Sequence, residues 1–362
     1  MKSFASDNYA GVHPDVLAAL ADANTGHAAS YGADPWTARA EAVLREHFGA
    51  RSHSLLVFNG SGANVLALRC ACRPWEAVIC AASAHVNVDE GGAPERIAGV
   101  KLITVPTADG KLTPADVQAH VTRVGDEHAV QPRVVTITQS TELGTRYTVS
   151  ETAALARAAH ELGLLLHVDG ARLANAAAGL GAGLDEIITD AGVDILSLGG
   201  TKNGMALGEA VVFLEPALAE GARYLRKQTL QLASKGRFLA AQFVAMFEGD
   251  LWRRNAWHAN TMAAQLAGHL SGIPAVTITQ AVQANAVFAV IPAAAAEEVR
   301  TTWPFYTWNA DADEVRLMCS WDTTGEDVDA FARAVAHACA ADDPAARRPV
   351  VAEDAPKHPA QS

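Results

Sequence analysis

Two stretches of this 362-residue chain carry residue types suited to covalent chemistry. HVDGAR (167–172) sets Asp169 at the end of an apolar run, and SLGGTKNG (197–204) sets Lys202 just past the end of another. An acid closing a buried strand is costly unless a cation or several donors meet it. A lysine among small residues, its pKa lowered by partial burial, is a nucleophile toward an aldehyde. Alone, each has a plainer reading, Lys202 as a lysine on an ordinary turn and Asp169 as a turn cap. The pair fits pyridoxal phosphate: the lysine forms a Schiff base with the cofactor aldehyde, and the acid holds the pyridine nitrogen protonated. Such an enzyme works at the α-carbon of an amino acid.

Three further features agree with that cofactor. FNGSGANV (58–65) is a strand end, small residues and then a helix start, which bares N–H groups that suit a phosphate, although a structural turn is the plainer account. His85, in SAHVNVDE, follows another apolar run and could stack on a pyridine ring, although a helix-start or core histidine is the plainer account. Arg172 and Arg316 sit beside apolar strands, and a guanidinium is a natural fork for an α-carboxylate. Taken alone, Arg316 reads as an edge-strand charge.

These residues need a scaffold that brings strand ends together. Apolar, β-branched runs occur at 54–60, 77–82, 101–107, 133–140, 164–171, 194–200 and 209–214, and several have helical stretches between them. That alternation predicts an α/β fold with a mostly parallel sheet covered on both faces. Ser150 is expected to cap the helix that follows it, with Gly163 as its stop. After about residue 215 the pattern becomes helical, then NAVFAVIP, AAAEEVRTTW, EVRLMCSW and EDVDAFARAVAHACAA alternate strand and helix. The expected division is 1–251 for an N-terminal arm and large domain, 252–341 for a small α+β domain, and 342–362 for a disordered Pro/Ala/charge-rich tail.

Composition bounds the partners. Net charge is −12 with no Lys/Arg-rich block, which argues against nucleic acid and for small-molecule partners. Five cysteines without a zinc-type spacing read as reduced thiols. The N-terminus lacks a signal-like apolar core and no run reaches membrane-spanning length, so a cytoplasmic protein without membrane contact is expected. No metal-ligand cluster is visible, and no G-x-G-x-x-G follows an early strand, which disfavours a dinucleotide-binding dehydrogenase.

ASDNYAG (5–11), YGADPWT (31–37), HVDGAR, GGTKNG and MCSWDT (318–323) together resemble the low-specificity L-threonine aldolase family, of the β-eliminating lyase group of fold-type I pyridoxal phosphate enzymes. The resemblance covers about residues 4–340. It implies an aspartate-aminotransferase-like large domain with a seven-stranded sheet, a small C-terminal domain, and a homotetramer with active sites at dimer interfaces. It implies Lys202 as the Schiff-base lysine, Asp169 as the pyridinium partner, His85 as the stacking histidine, and Ser61 and Gly62 at the phosphate. Arg172 would lie beside cofactor and substrate, with Ser6 and Arg316 at the substrate carboxylate. Tyr31 and Arg237 would reach the neighbouring subunit's site. The implied reaction is retro-aldol cleavage of a β-hydroxy-α-amino acid to glycine and an aldehyde. Many members carry a histidine after the fourth strand; here Gln139, Ser140, Thr141 and Glu142 stand there, and the nearest histidine is His128, before the strand. His85 is the first candidate for the base at the β-hydroxyl and His128 the second. The alternatives are an aminotransferase or another lyase on the same fold, or a cofactor-binding protein without turnover.

Overall fold

The structure is a computed structural model that describes residues 2–342; Asp342, expected to open the tail, instead closes the helix Gly325–Asp342, and the rest of the expected tail lies outside the described residues. The large sheet is built from β1 (His53–Val57), β2 (Glu76–Ala81), β3 (Lys101–Val105), β4 (Gln131–Thr138), β5 (Leu165–Gly170), β6 (Ile195–Gly199) and β7 (Glu209–Phe213). Their order across the sheet is β1-β7-β6-β5-β4-β2-β3. From β3 to β6 neighbouring strands are parallel, while β7 runs antiparallel to both β6 and β1. The central strands are apolar on both faces because helices cover both, and Val134, Leu166, Val168, Leu196 and Val211 are fully buried. All seven expected runs are strands, each ending a residue or more early, while β1, β2 and β4 begin one or two residues before the expected run.

The parallel order makes the C-terminal ends of β4, β5 and β6 converge. Asp169, next to last in β5, pairs with Thr138 on one side and Ser197 on the other. Lys202 lies in the single 3-10 turn Thr201–Asn203 that follows β6. The crevice outside strand C-termini is where open α/β sheets bind ligands.

One expected cap is corrected. The helix Val149–Glu161 is capped by Thr148, not Ser150: the Thr148 hydroxyl accepts from Glu151 N while the Glu151 carboxylate accepts from Thr148 N. This reciprocal pairing satisfies two orphan donors, and the interior Ser150 cannot reach either.

A second sheet, in the order β10-β11-β9-β8, is formed by β8 (Thr277–Ile278), β9 (Ala286–Val290), β10 (Tyr306–Asn309) and β11 (Glu314–Met318) and is antiparallel throughout. Its core contains Val287, Leu317, Phe331 and Val335, and also Phe4 from the chain's start. The Phe4 ring lies 4.6 Å from that of Phe331, and the backbone of Phe4 bonds to Pro304 and Met318. Burying this phenylalanine contributes about 1.5–3 kcal/mol. The expected boundary at 251/252 falls in the first turn of the helix Leu251–Ser271. Leu251, Trp252 and Ala256 pack in the large core, and Ala263, Leu266 and Leu270 in the small one.

Candidate active site

Asp169 is buried, 4% exposed, and its carboxylate has two protein donors. Ala171 N donates to Oδ1 at 3.0 Å and Asn64 Nδ2 to Oδ2 at 2.8 Å. The same Asn64 amide donates to Glu90 Oε1 at 2.8 Å. His85 Nδ1 lies 3.0 Å from that Glu90 oxygen, and His85 N donates to Glu142 Oε1 at 2.8 Å. The hydrogen bond to Glu90 raises the His85 pKa against the opposing effect of burial. Glu142 is itself pushed up by burial, and its Oε2 is buried without a partner.

Lys202 makes no hydrogen bond with the described residues. Burial and then the Arg172 charge push its ammonium below the ordinary lysine range, while Asp7, Asp169 and Glu209 pull the other way. A fraction of neutral amine at neutral pH is what a lysine nucleophile requires. Glu209, in β7 opposite Gly199, accepts from Gly200 N at 2.7 Å and so braces the lysine turn. Burial pushes its carboxyl up to about 7.

The helix Gly60–Ala71 starts where phosphate binding was expected. Asn59 Oδ1 takes the Gly62 N–H, and the N–H groups of Gly60 and Ser61 have no acceptor among the described residues. The Gln231 side chain lies over Gly62: a Cβ there would stand 2.3 Å from its Cδ. Gln231 Oε1 also accepts from Phe58 N at 2.9 Å.

Arg172 and Arg316 share one region with Asp7, and the charge of Arg172 is felt at Arg316. Arg172 grips Asp7 through Nε at 2.7 Å and Nη2 at 2.9 Å, and Asn285 Nδ2 also donates to Asp7 at 3.0 Å. Burial would raise Asp7, but the Arg172 guanidinium outweighs it and holds the carboxyl below its ordinary range. Arg172 thus has one edge committed to Asp7. Arg316 has no such partner: its Nε is buried without a hydrogen bond, and its guanidinium lies 5.7 Å from the Tyr306 ring and 5.2 Å from that of Trp308. Ser6, adjacent to Asp7, is half-buried, and its hydroxyl accepts from Asn8 N at 3.2 Å.

Three expected residues lie apart from this cluster. Tyr31, at φ 60° and 53% exposed, has its ring beneath Lys227 Nζ. Arg237 Nη1 donates to the Thr25 and Gly26 carbonyls at 3.2 Å. His128 is exposed and precedes β4, whose far end carries Thr138 beside Asp169. Seven residues of extended strand separate the two ends by about 23 Å, so within one chain His128 does not reach the cluster.

The residues fit pyridoxal phosphate. A buried carboxylate, a lysine without a hydrogen-bond partner, a histidine and free helix-terminal N–H groups meet at one crevice. Among the described residues one group has metal-ligand character, His85, Glu90 and Asp169, whose donor atoms lie within 4.8 Å of one another. Sequence spacing hid it, and hydrogen bonds through His85 Nδ1 and Asn64 already join its members. Asn64, Glu90 and Asp7 were likewise not singled out, although Asn64 is a polar residue inside an apolar helical run.

A family model described as beta-eliminating lyase matches residues 3–294. A low specificity L-threonine aldolase of Pseudomonas aeruginosa is 47% identical over 334 residues, 92% of this chain and 96% of that protein. Another, from a Pseudomonas species, is 46% identical over 89% of this chain and 93% of its own. Among solved structures, a threonine aldolase of Leishmania major superposes with a TM-score of 0.88 at 32% identity, covering 93% of this chain and 99% of that one.

Proposed function

The chain belongs to the beta-eliminating lyase family, and on that footing we propose that it is a pyridoxal phosphate-dependent aldolase cleaving L-threonine, L-allo-threonine and related β-hydroxy-α-amino acids to glycine and an aldehyde. The observation that carries this reading is the meeting of Lys202 and Asp169, at the ends of the neighbouring strands β6 and β5, with His85, which follows β2 two strands further along the sheet. The cofactor, when bound, supplies a carbonyl carbon for an amine and a conjugated ring that withdraws the electron pair of a breaking Cα–Cβ bond.

The chain's residues supply the rest. Lys202 would hold the cofactor through its amine, and the substrate amine would contend for the same place. Asp169 keeps a proton on the ring nitrogen. The N–H groups of Gly60 and Ser61 would receive the phosphate at the helix terminus beside Gly62, whose own N–H is held by Asn59, and this requires the flexible Gln231 side chain to share or yield that space. Arg316 takes the substrate carboxylate with a guanidinium that no acceptor among the described residues claims. Arg172, fixed by Asp7, adds positive charge beside it, and Ser6 completes the carboxylate end. This grip would fix the rotation about the substrate N–Cα bond and so select which bond at Cα is broken, and such orientation supplies much of the rate. His85 removes the β-hydroxyl proton, the Cα–Cβ bond breaks, the aldehyde leaves, and Cα takes up a proton to give glycine. General-base assistance is worth about 10²–10⁴-fold.

Two copies sharing an interface would put Tyr31 and Arg237 at each other's sites, and a dimer of dimers is the assembly proposed. Large apolar side chains on the surface favour a covered face: Leu230 is 82% exposed and Tyr224 71%. No helix among the described residues is long and apolar enough to cross a membrane, and a cytoplasmic location is proposed. The test is incubation of the purified protein and cofactor with L-threonine, L-allo-threonine and phenylserine, with no keto acid added. Aldehyde and glycine in equal amounts are expected. Absence of aldehyde, or amine transfer that depends on a keto acid, would discard the proposal in favour of the rival chemistries.

A further inference from the structure

Glu90 lies outside the roles assigned above, yet its side chain is fully buried and beside the reacting groups. Its Oε1 is the meeting point of two donors, Asn64 Nδ2 at 2.8 Å and His85 Nδ1 at 3.0 Å. Asn64, 1% exposed, donates through the same nitrogen to Asp169 Oδ2 at 2.8 Å. One amide nitrogen facing two carboxylates must present its two hydrogens, because the amide oxygen there would repel both. Glu90 Oε1 is therefore an acceptor, and the proton shared with His85 sits on Nδ1. A neutral imidazole with Nδ1 protonated carries its lone pair on Nε2. Among the described residues Nε2 has no hydrogen-bond partner.

We infer that Glu90 is a positioning residue that fixes the His85 tautomer, leaving Nε2 as the acceptor for the substrate hydroxyl, and that Asn64 ties this base to the Asp169 carboxylate. The inference rests on the aldolase reading for what His85 does, but not for how its ring is held. The charged groups around His85 are Glu90 at the ring, Asp169 and Lys202 facing it with opposite signs, and Glu142 at its backbone N–H. Glu90 is the one that hydrogen-bonds the ring. Glu142 fixes where the ring starts, since it grips the main chain at His85 and is itself bonded by Thr138 Oγ1 at 2.8 Å. Among the described residues Glu90 Oε2 and Asn64 Oδ1 are buried without partners, so replacing Glu90 by glutamine keeps the Oε1 acceptor, removes the charge and places an amide nitrogen where no existing hydrogen bond is displaced.

The experiment compares wild type, Glu90→Gln, Glu90→Ala and Asn64→Ala as cofactor-loaded protein. Nitrogen NMR of isotope-labelled histidine, with His85→Asn to assign the signal, reads the tautomer and ring titration. The pH profile of kcat/KM is measured alongside. In wild type the Nδ1-protonated form is expected. In Glu90→Gln the ring should titrate at lower pH, and the acid limb of kcat/KM should move down with it. Glu90→Ala should lose the single tautomer, and its kcat at the plateau should fall about 10²-fold. Asn64→Ala should keep the His85 tautomer but change the pH dependence of the cofactor's visible absorbance, since Asp169 loses a donor. A wild-type ring protonated on Nε2 overturns the inference by itself, whether or not the variants fold. So does a Glu90→Gln ring titrating as wild type, or a Glu90→Ala enzyme within two-fold of wild-type kcat. A wild type that releases no aldehyde but shows the expected tautomer refutes the aldolase proposal and leaves the ring geometry standing.

Discussion

Replacing Asp7 by alanine leaves the mostly buried Arg172 guanidinium without its anion. The side chains are 1% and 15% exposed, and two charge-assisted hydrogen bonds of 2.7 and 2.9 Å join them. Breaking a buried pair from one side costs about 3–5 kcal/mol, chiefly because the remaining charge is stranded. Arg172 keeps some solvent contact, so the lower end applies, about 3 kcal/mol. That is roughly a 10²-fold change in the folded-to-unfolded ratio. Two neighbours deepen the effect, since the Arg172 charge already bears on Lys202 and Arg316. The measurement is equilibrium urea unfolding at fixed protein and cofactor concentration, applied to Asp7→Ala, Arg172→Met and the double variant. A coupling energy on the order of 2–3 kcal/mol is expected, with the double variant far less damaged than the two single losses added. An Asp7→Ala loss below about 1 kcal/mol, or a coupling within about 0.5 kcal/mol of zero, would mean that the pair is not what holds the N-terminal arm to the sheet.

Lys202→Ala should remove both aldehyde release and the visible absorbance that pyridoxal phosphate gives with the wild-type protein; a coloured, active variant would displace this lysine from its role. Arg316→Ala should raise the KM for threonine about 10–100-fold, the loss of a charged hydrogen bond, with kcat less affected, and unaltered threonine kinetics would place the carboxylate elsewhere. Burial pushes the His167 ring down to about 4 from an ordinary 6.5. Its neutral form therefore contributes stability in full above about pH 6.5, and that contribution is lost as pH falls toward 4. His167→Asn should flatten the melting temperature against pH across that window, and an equally steep curve would exonerate this ring.

How much could be read in advance follows from the range of each interaction. The strands of the large sheet are continuous apolar runs, so local pattern sufficed to find them. Asp169 and Lys202 close such runs, and their approach follows once β5 and β6 are taken as neighbours. The cap at Thr148 was also legible, as a threonine three residues ahead of Glu151, but the nearer Ser150 drew the assignment. The partners of His85 were not legible, because Glu90 and Asn64 reach it through contacts that only the folded sheet creates. The Asp7–Arg172 pair spans 165 residues, and nothing near either one signals the other. Arg172 therefore read as free for substrate when one edge of it is already engaged. Phe4 was assigned to the large domain with the rest of the arm, and its place among Trp303 and Phe331 depends on the chain returning to its own beginning.

The helix Leu251–Ser271 gives the molecule a lever. It is a rod about 30 Å long, seated at one end in the large core and at the other in the small one. Its first turns are also tethered to the turn that carries Lys202: Asn203 Nδ2 donates to the Trp252 carbonyl at 2.8 Å, and Asn255 Nδ2 to the Asn203 carbonyl at 2.9 Å. Asn203 is the residue after Lys202. Any swing of the C-terminal lobe that tilts this rod pulls on the backbone one peptide away from the amine. The tilt of the rod and the aim of the amine are thereby coupled through one short backbone segment.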